Sequence, residues 1–274
     1  MKKLSGVIIT YNEERKVQTA LESLRPVCDE IVVVDSFSTD RTPELCRALC
    51  DKFLQTEWRG YAAQKQFAAD QSSEQWVLSL DADERLSDSL TRELLDWKAS
   101  SYADHCGYHI PRITWFMGRW IRHTTWYPDW QLRLFRRDVG KWTGGRVHEG
   151  IEVPGSTGRF EGHIQHYTYE SISEYLRQLE TFSSLAAVDS LEKGKTTSVA
   201  RVCLYPGIIF LKNYFVKRGF LDGFPGLVVS VLAAVSSFFK QLKLYELSVT
   251  STPGNRWTGS PSKGSAPTSS PPKP

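Results

Sequence analysis

The sequence predicts an α/β fold: a doubly wound, mostly parallel sheet followed by a helical, membrane-associated C-terminal region. Three observations predict it. Short uncharged runs rich in β-branched residues alternate with segments of helical spacing over residues 1–100, each run closes on a polar cluster, and residues 201–250 are apolar and basic. With 41% hydrophobic and 24% charged residues, the 274-residue chain has the means to bury a core, which excludes wholesale disorder and a disulfide-stapled miniprotein.

Leu4-Ser5-Gly6-Val7-Ile8-Ile9-Thr10 reads as a buried parallel strand, and Val17, Ala20, Leu21 and Leu24 mark the apolar face of the helix that follows, closed by Pro26. Ile31–Asp35 is a second strand, and Thr39-Asp40-Arg41-Thr42-Pro43 a turn into a helix with proline in its first turn. Phe53–Gln55 is a short third strand, Tyr61–Asp70 a helix, and Trp76–Leu80 a fourth strand ending on Asp81-Ala82-Asp83-Glu84. Beyond Trp97 the pattern reads as loops and short strands around a site, until Tyr175, Leu179, Phe182 and Leu185 mark a helix over 172–191. The expected organisation is therefore 1–100 as a nucleotide-binding half, 101–170 as an acceptor and catalytic half, 171–250 as a helical region and 251–274 as a disordered Pro/Ser-rich tail.

Charge divides along the same lines. Residues 1–200 carry 25 basic and 29 acidic side chains, whereas residues 201–250 carry six and two. An acidic body argues against nucleic acid as a partner, and a basic apolar segment suits an anionic membrane surface. Residues 202–211 and the seventeen from Gly223 to Phe239 are uncharged, at the lower edge of the roughly 17–25 needed to span a bilayer. An interfacial or re-entrant segment is the first reading, and a buried helical pair or dimer surface the alternative. The five cysteines match no zinc-ligand spacing, and the apolar N-terminal run ends in acids rather than at a signal-peptide cleavage site.

In open parallel sheets ligands bind beyond the carboxyl ends of the strands. Three polar clusters fall there: Thr10-Tyr11-Asn12-Glu13, Asp35-Ser36-Phe37-Ser38-Thr39-Asp40 and Asp81-Ala82-Asp83. Neither a dinucleotide glycine fingerprint nor a P-loop is present. Asp81 and Asp83 flank one small residue, a spacing that suits a hard divalent cation already bound to a diphosphate. His163 and His166, three apart without further ligands, read as surface or turn residues.

These motifs, with Trp126-Tyr127-Pro128-Asp129-Trp130-Gln131-Leu132-Arg133 and Gly144-Gly145-Arg146-Val147-His148-Glu149, resemble family 2 glycosyltransferases of the GT-A fold, in the branch of WaaE-like lipopolysaccharide core glucosyltransferases. The resemblance runs from about residue 4 to residue 246. It implies a UDP-sugar donor with Mg2+ or Mn2+, and a lipid-linked saccharide acceptor met at the cytoplasmic face of the inner membrane. Thr10, Tyr11, Glu13, Asp35 and Lys65 would hold the nucleotide, Asp81 and Asp83 ribose and metal, and Arg133 the diphosphate. The alternation Gln131, Arg133, Phe135 also fits a solvated strand face. An inverting transfer needs a general base. Asp129, among Trp126, Tyr127 and Trp130, is favoured for desolvation, with Glu149 the alternative, and His148 is read as an orienting hydrogen-bond partner. A polyprenyl phosphate acceptor, or a sugar-nucleotide-binding protein without turnover, are the competing readings.

Overall fold

The computed structural model describes residues 1–100, 105–144, 149–169 and 171–250. Among the described residues it divides into a sheet-based unit, within residues 1–120 and 126–168, and a helical unit formed by 121–125 and those between 169 and 250.

The sheet-based unit follows the expected alternation: β1 (Leu4–Thr10), α1 (Val17–Leu24), β2 (Glu30–Asp35), α2 (Thr42–Leu49), β3 (Lys52–Gln55), α3 (Tyr61–Asp70) and β4 (Trp76–Ser79). All seven residues of β1 are buried, because the strand has parallel neighbours on both sides and packed side chains on both faces. Period-2 geometry sorts them: Leu4, Ile8, Ile31 and Val33 join a core with α1, while Val7, Ile9, Val32 and Val34 join a second core with Ala68 and Ala69 of α3. The fourth strand stops at Ser79, one residue earlier than expected.

The remainder departs from the expected loops and short strands. After β5 (Glu84–Leu86) comes α4 (Asp88–Ala99), capped by Ser87 and burying Leu90, Leu94 and Trp97. Then β6 (Gly107–Phe116), β7 (Arg119–Ile121) and β8 (Asp129–Arg136) follow. β6 and β8 are long antiparallel partners at the centre of the sheet. Behind them come β9 (Lys141–Gly144), β10 (Glu149–Glu152), β11 (Thr157–Arg159) and β12 (Ile164–His166). The sheet order is β3-β2-β1-β4-β8-β6-β12-β5, and β9 and β10 pair separately. β4 is parallel to β1 and antiparallel to β8, so the sheet changes sense where Asp81 and Asp83 emerge.

The helical unit contains α5 (Ile172–Glu192), α6 (Val199–Leu211) and α7 (Gly223–Thr250). Ser171 and Ser198 cap α5 and α6 through the backbone N–H of Glu174 and Arg201. Between α6 and α7 a tight turn carries Arg218 in the left-handed region (φ 54°). Gly226 is required there, since a Cβ would lie 1.9 Å from the Gly219 carbonyl oxygen. The buried Asp222 carboxylate accepts from the backbone N–H of Arg122 and His123 (2.8 Å for His123) and faces His123 Nδ1 at 3.0 Å. Two stretches, Val199–Val216 and Gly219–Thr250, have the length and hydropathy of membrane spans, and only 11% of the first is buried. The alternative of a buried helical pair does not describe α6.

Candidate active site

Register places Thr10 opposite Asp35 at the ends of β1 and β2. Asp35 is fully buried, yet every partner it has is neutral. Thr10 Oγ1 (3.0 Å) and Ser38 Oγ (2.5 Å) donate to Oδ1, while the Ser38 N–H and Gln55 Nε2 donate to Oδ2, both at 2.9 Å. Asn12, itself at φ 56°, ties the two loops together by donating its N–H to Ser38 Oγ and accepting from the Thr39 N–H. Glu13 donates its N–H to Thr42 Oγ1, and Tyr11 flanks the same loop. Phe37 sits beside this pocket with a positive φ of 59° and a side chain 46% exposed, a strained and open aromatic that sequence reading did not single out.

The second cluster is ionic. Asp81 pairs with Lys65 Nζ at 2.7 Å through one oxygen and with Arg133 Nη2 at 2.7 Å through the other. Lys65 reaches on to Glu149 at 3.1 Å and lies over the Trp142 ring. Arg133 reaches Glu84 at 3.0 Å, and Arg112 joins Glu84 (3.1 Å) to Asp129 (2.7 Å). A single alternating chain results: Glu149, Lys65, Asp81, Arg133, Glu84, Arg112, Asp129. Burial alone would push the Asp81 carboxyl up, but Arg133 and then Lys65 hold it well below the usual carboxylate range. Burial opposes charge on Arg133 too, and Asp81 and Glu84 together keep its guanidinium raised above its ordinary value. The Tyr61 hydroxyl is pushed up to about 12, by burial first and then by the negative charge of Glu149, Asp81, Asp83 and Glu13.

Three expectations change. Arg133 is not on a solvated strand face; its side chain is 4% exposed, inside the ionic chain, and its Nε has no protein partner among the described residues. Asp129 is held by a guanidinium rather than desolvated by an aromatic wall, with Gln131 Nε2 donating to its second oxygen at 2.6 Å. His166 is no turn residue: it closes β12, and its Nε2 lies 3.2 Å from Asp83 Oδ2. His163 instead pairs with the Tyr127 hydroxyl at 2.9 Å. His148 lies outside the described residues. Arg112, Glu84 and His166 are the members that sequence reading missed. Glu84 stood in the acidic motif, but nothing in spacing alone shows that antiparallel register sets Arg112 opposite Asp129.

No three His, Cys, Asp or Glu side chains converge as a complete metal cage among the described residues. Asp83 and His166 together offer one carboxylate and one imidazole, a partial donor set that fits Mn2+ better than the oxygen-preferring Mg2+, with diphosphate oxygens and water to complete it.

The model of glycosyl transferase family 2 matches residues 5–153. The chain belongs to that family. Its α/β architecture is accordingly the GT-A class implied by the sequence, and the protein is a glycosyltransferase. This family member is 34% identical to the lipopolysaccharide core biosynthesis glycosyltransferase LpsC of Rhizobium meliloti over 250 residues, 89% of this chain and 92% of that one. An uncharacterized glycosyltransferase of Rickettsia typhi, RT0209, is 32% identical over 92% of the chain and 89% of its own length. Among solved structures, S. aureus TarS 1–349 in complex with UDP-GlcNAc aligns over 90% of this family 2 chain and 92% of its own at 15% identity, with a TM-score of 0.48.

Proposed function

We propose that this glycosyltransferase moves a hexose, glucose in the first instance, from a UDP-sugar to a lipid-linked saccharide of the lipopolysaccharide core kind, with inversion, at the cytoplasmic face of the membrane. The observation that carries the donor half is the pairing of two unlike anchors at the ends of β2 and β4, the strands on either side of β1. Asp35 would accept from a base N–H or a ribose hydroxyl in exchange for one of the four neutral donors that fill its carboxylate. Lys65 and Arg133, on either side of Asp81, hold positive charge where a diphosphate would arrive. The likeness to LpsC supports the acceptor half.

Asp83 and His166 would hold the divalent cation, which when bound neutralises charge on the leaving diphosphate. Arg133, with its orphaned Nε, would shift part of its contact from Asp81 to a phosphate oxygen. Of the two candidate bases, Glu149 fits better than Asp129. Asp129 accepts from Arg112 on one oxygen and from Gln131 on the other, whereas Glu149 meets Lys65 through one oxygen among the described residues. Glu149 would take the proton of the acceptor hydroxyl as that oxygen attacks the anomeric carbon and the bond to the diphosphate breaks. Full-length protein incubated with UDP-glucose, Mn2+ and core oligosaccharide on its lipid tests the reading. Release of UDP matched by sugar on the acceptor is expected, and transfer to a polyprenyl phosphate in its place would move the assignment to that acceptor class.

A further inference from the structure

Exposed apolar side chains concentrate in the helical unit, and the densest group lies in the turn between α6 and α7. Phe215, Val216, Phe220 and Leu221 there, and Phe224 at the start of α7, are all at least 46% exposed, interleaved with exposed Lys212, Lys217 and Arg218. Residues 193–245 hold eight lysines and arginines and one acid, Asp222, and that acid is 1% exposed. A surface offering large apolar groups and only positive charge complements an anionic lipid interface, where burial and Coulomb attraction act together.

Length and hydropathy alone would let the stretches Val199–Val216 and Gly219–Thr250 cross a bilayer as a hairpin, with the residues between them on the far side. The turn is, however, clasped by residues 121–125. Asp222 accepts from Arg122 and His123, Asn213 Oδ1 accepts from the Thr125 N–H at 2.8 Å, and the Lys217 carbonyl accepts from the Thr124 N–H at 3.1 Å. Ile121 ends β7, and only three residues separate Thr125 from β8, which carries Asp129 and Arg133. Three residues reach roughly 10 Å extended, far short of the roughly 30 Å hydrocarbon layer. The turn therefore cannot stand across a membrane from β8.

We infer that the helical unit is a monotopic anchor, whose α6–α7 turn dips its apolar residues into one anionic leaflet while the 121–125 clasp ties the turn, by three residues of chain, to the start of β8. The anchor rests on the membrane-bound reading above, and extends it by excluding a hairpin whose turn lies on the far side of the membrane from β8. The test uses full-length protein and vesicles of phosphatidylcholine with 30% phosphatidylglycerol. Flotation should show binding that falls about 30-fold in the Lys212→Ala/Lys217→Ala variant and at least tenfold in Phe215→Ser/Phe220→Ser, the latter loss persisting in high salt. An impermeant amine reagent sealed inside the vesicles should leave Lys212 and Lys217 of bound wild-type protein unmodified by peptide mapping. Modification from the lumen would overturn the clasp argument while leaving membrane binding intact. Failure of the wild type to float, with a dimer in sedimentation that the Phe215→Ser/Phe220→Ser variant dissolves, would assign the face to a second copy instead. UDP release with a water-soluble acceptor reports on the transferase reading separately from either result.

Discussion

Two acidic groups sit at strand ends of one sheet, and their surroundings are opposites. Asp35 is caged by hydroxyls, an amide and a backbone N–H, none of which carries charge. Asp81 is caged by Lys65 and Arg133. Neutral donors fix a geometry but repel nothing and attract no ion, which suits recognition of a neutral ring edge or hydroxyl. Cations arranged around a carboxylate can exchange that partner for an incoming phosphate, because the partial loss of one ion pair is offset by another. In the proposed reaction, the Asp35 end would read shape and the Asp81 end would receive and release charge.

The largest test of this contrast lies at Asp83. Asp83→Ala should take sugar transfer in Mn2+ below detection while circular dichroism and melting temperature stay near wild type, since the residue emerges at a strand end; full turnover in the variant or in excess chelator would remove the metal from the ionic end. Next, Glu149→Gln should lower kcat by about 10^3, and Asp129→Asn by less than tenfold, measured at saturating donor; the reverse order would return the base to Asp129. At the neutral end, Asp35→Ala should weaken UDP binding by about 10- to 100-fold in calorimetry with kcat changed little, because contacts to a base or ribose are equal in ground and transition states. Phe37→Gly should be smaller still: relief of the left-handed φ raises stability by up to about 1 kcal/mol, and UDP affinity falls only if the ring stacks on the base.

A third aspartate, Asp29, provides a reference without a role in the site. It ties Lys3, Lys98 and the Leu4 N–H together before β2, and these partners outweigh its burial to lower its pKa to about 2. A carboxylate whose folded pKa lies below its unfolded one adds stability above pH 4 and loses it as pH falls toward 2. Its residue is well exposed, so solvent screening reduces the expected loss to about 1 kcal/mol, readable as a loss that Asp29→Asn abolishes in urea melts at pH 4 and pH 2.

How much of this was legible varied with the range of the interaction. β1, β2 and β4 were legible because a strand buried on both faces must be an uncharged, β-branched run, and α1 because Val17, Ala20, Leu21 and Leu24 repeat at helical spacing. α4 carried the same kind of signal, Ser87 as cap and then Leu90, Leu94 and Trp97, and went unread beneath its charged residues. The ionic chain is different in kind. Lys65 and Glu149 stand 84 residues apart, and Arg133 and Glu84 stand 49 apart, so only sheet order and register bring them together. Asp129 was found from its motif but its environment was misread, because Arg112 reaches it across β6 and β8 rather than along the chain.

The segment 121–125 also bears on how such a chain can be inherited or re-engineered. The helical unit is discontinuous in the gene: its clasp is encoded inside the sheet-based unit, between β7 and β8, and the remainder follows residue 168. Exchange of the C-terminal segment alone between relatives would pair a foreign Asp222 and Asn213 with the resident clasp, leaving the N–H groups of Arg122, His123 and Thr125 to find partners by chance. Drift in either piece is therefore checked by the other. The family model ends at residue 153, whereas the match to LpsC extends over 89% of the chain and so includes residues of the helical unit.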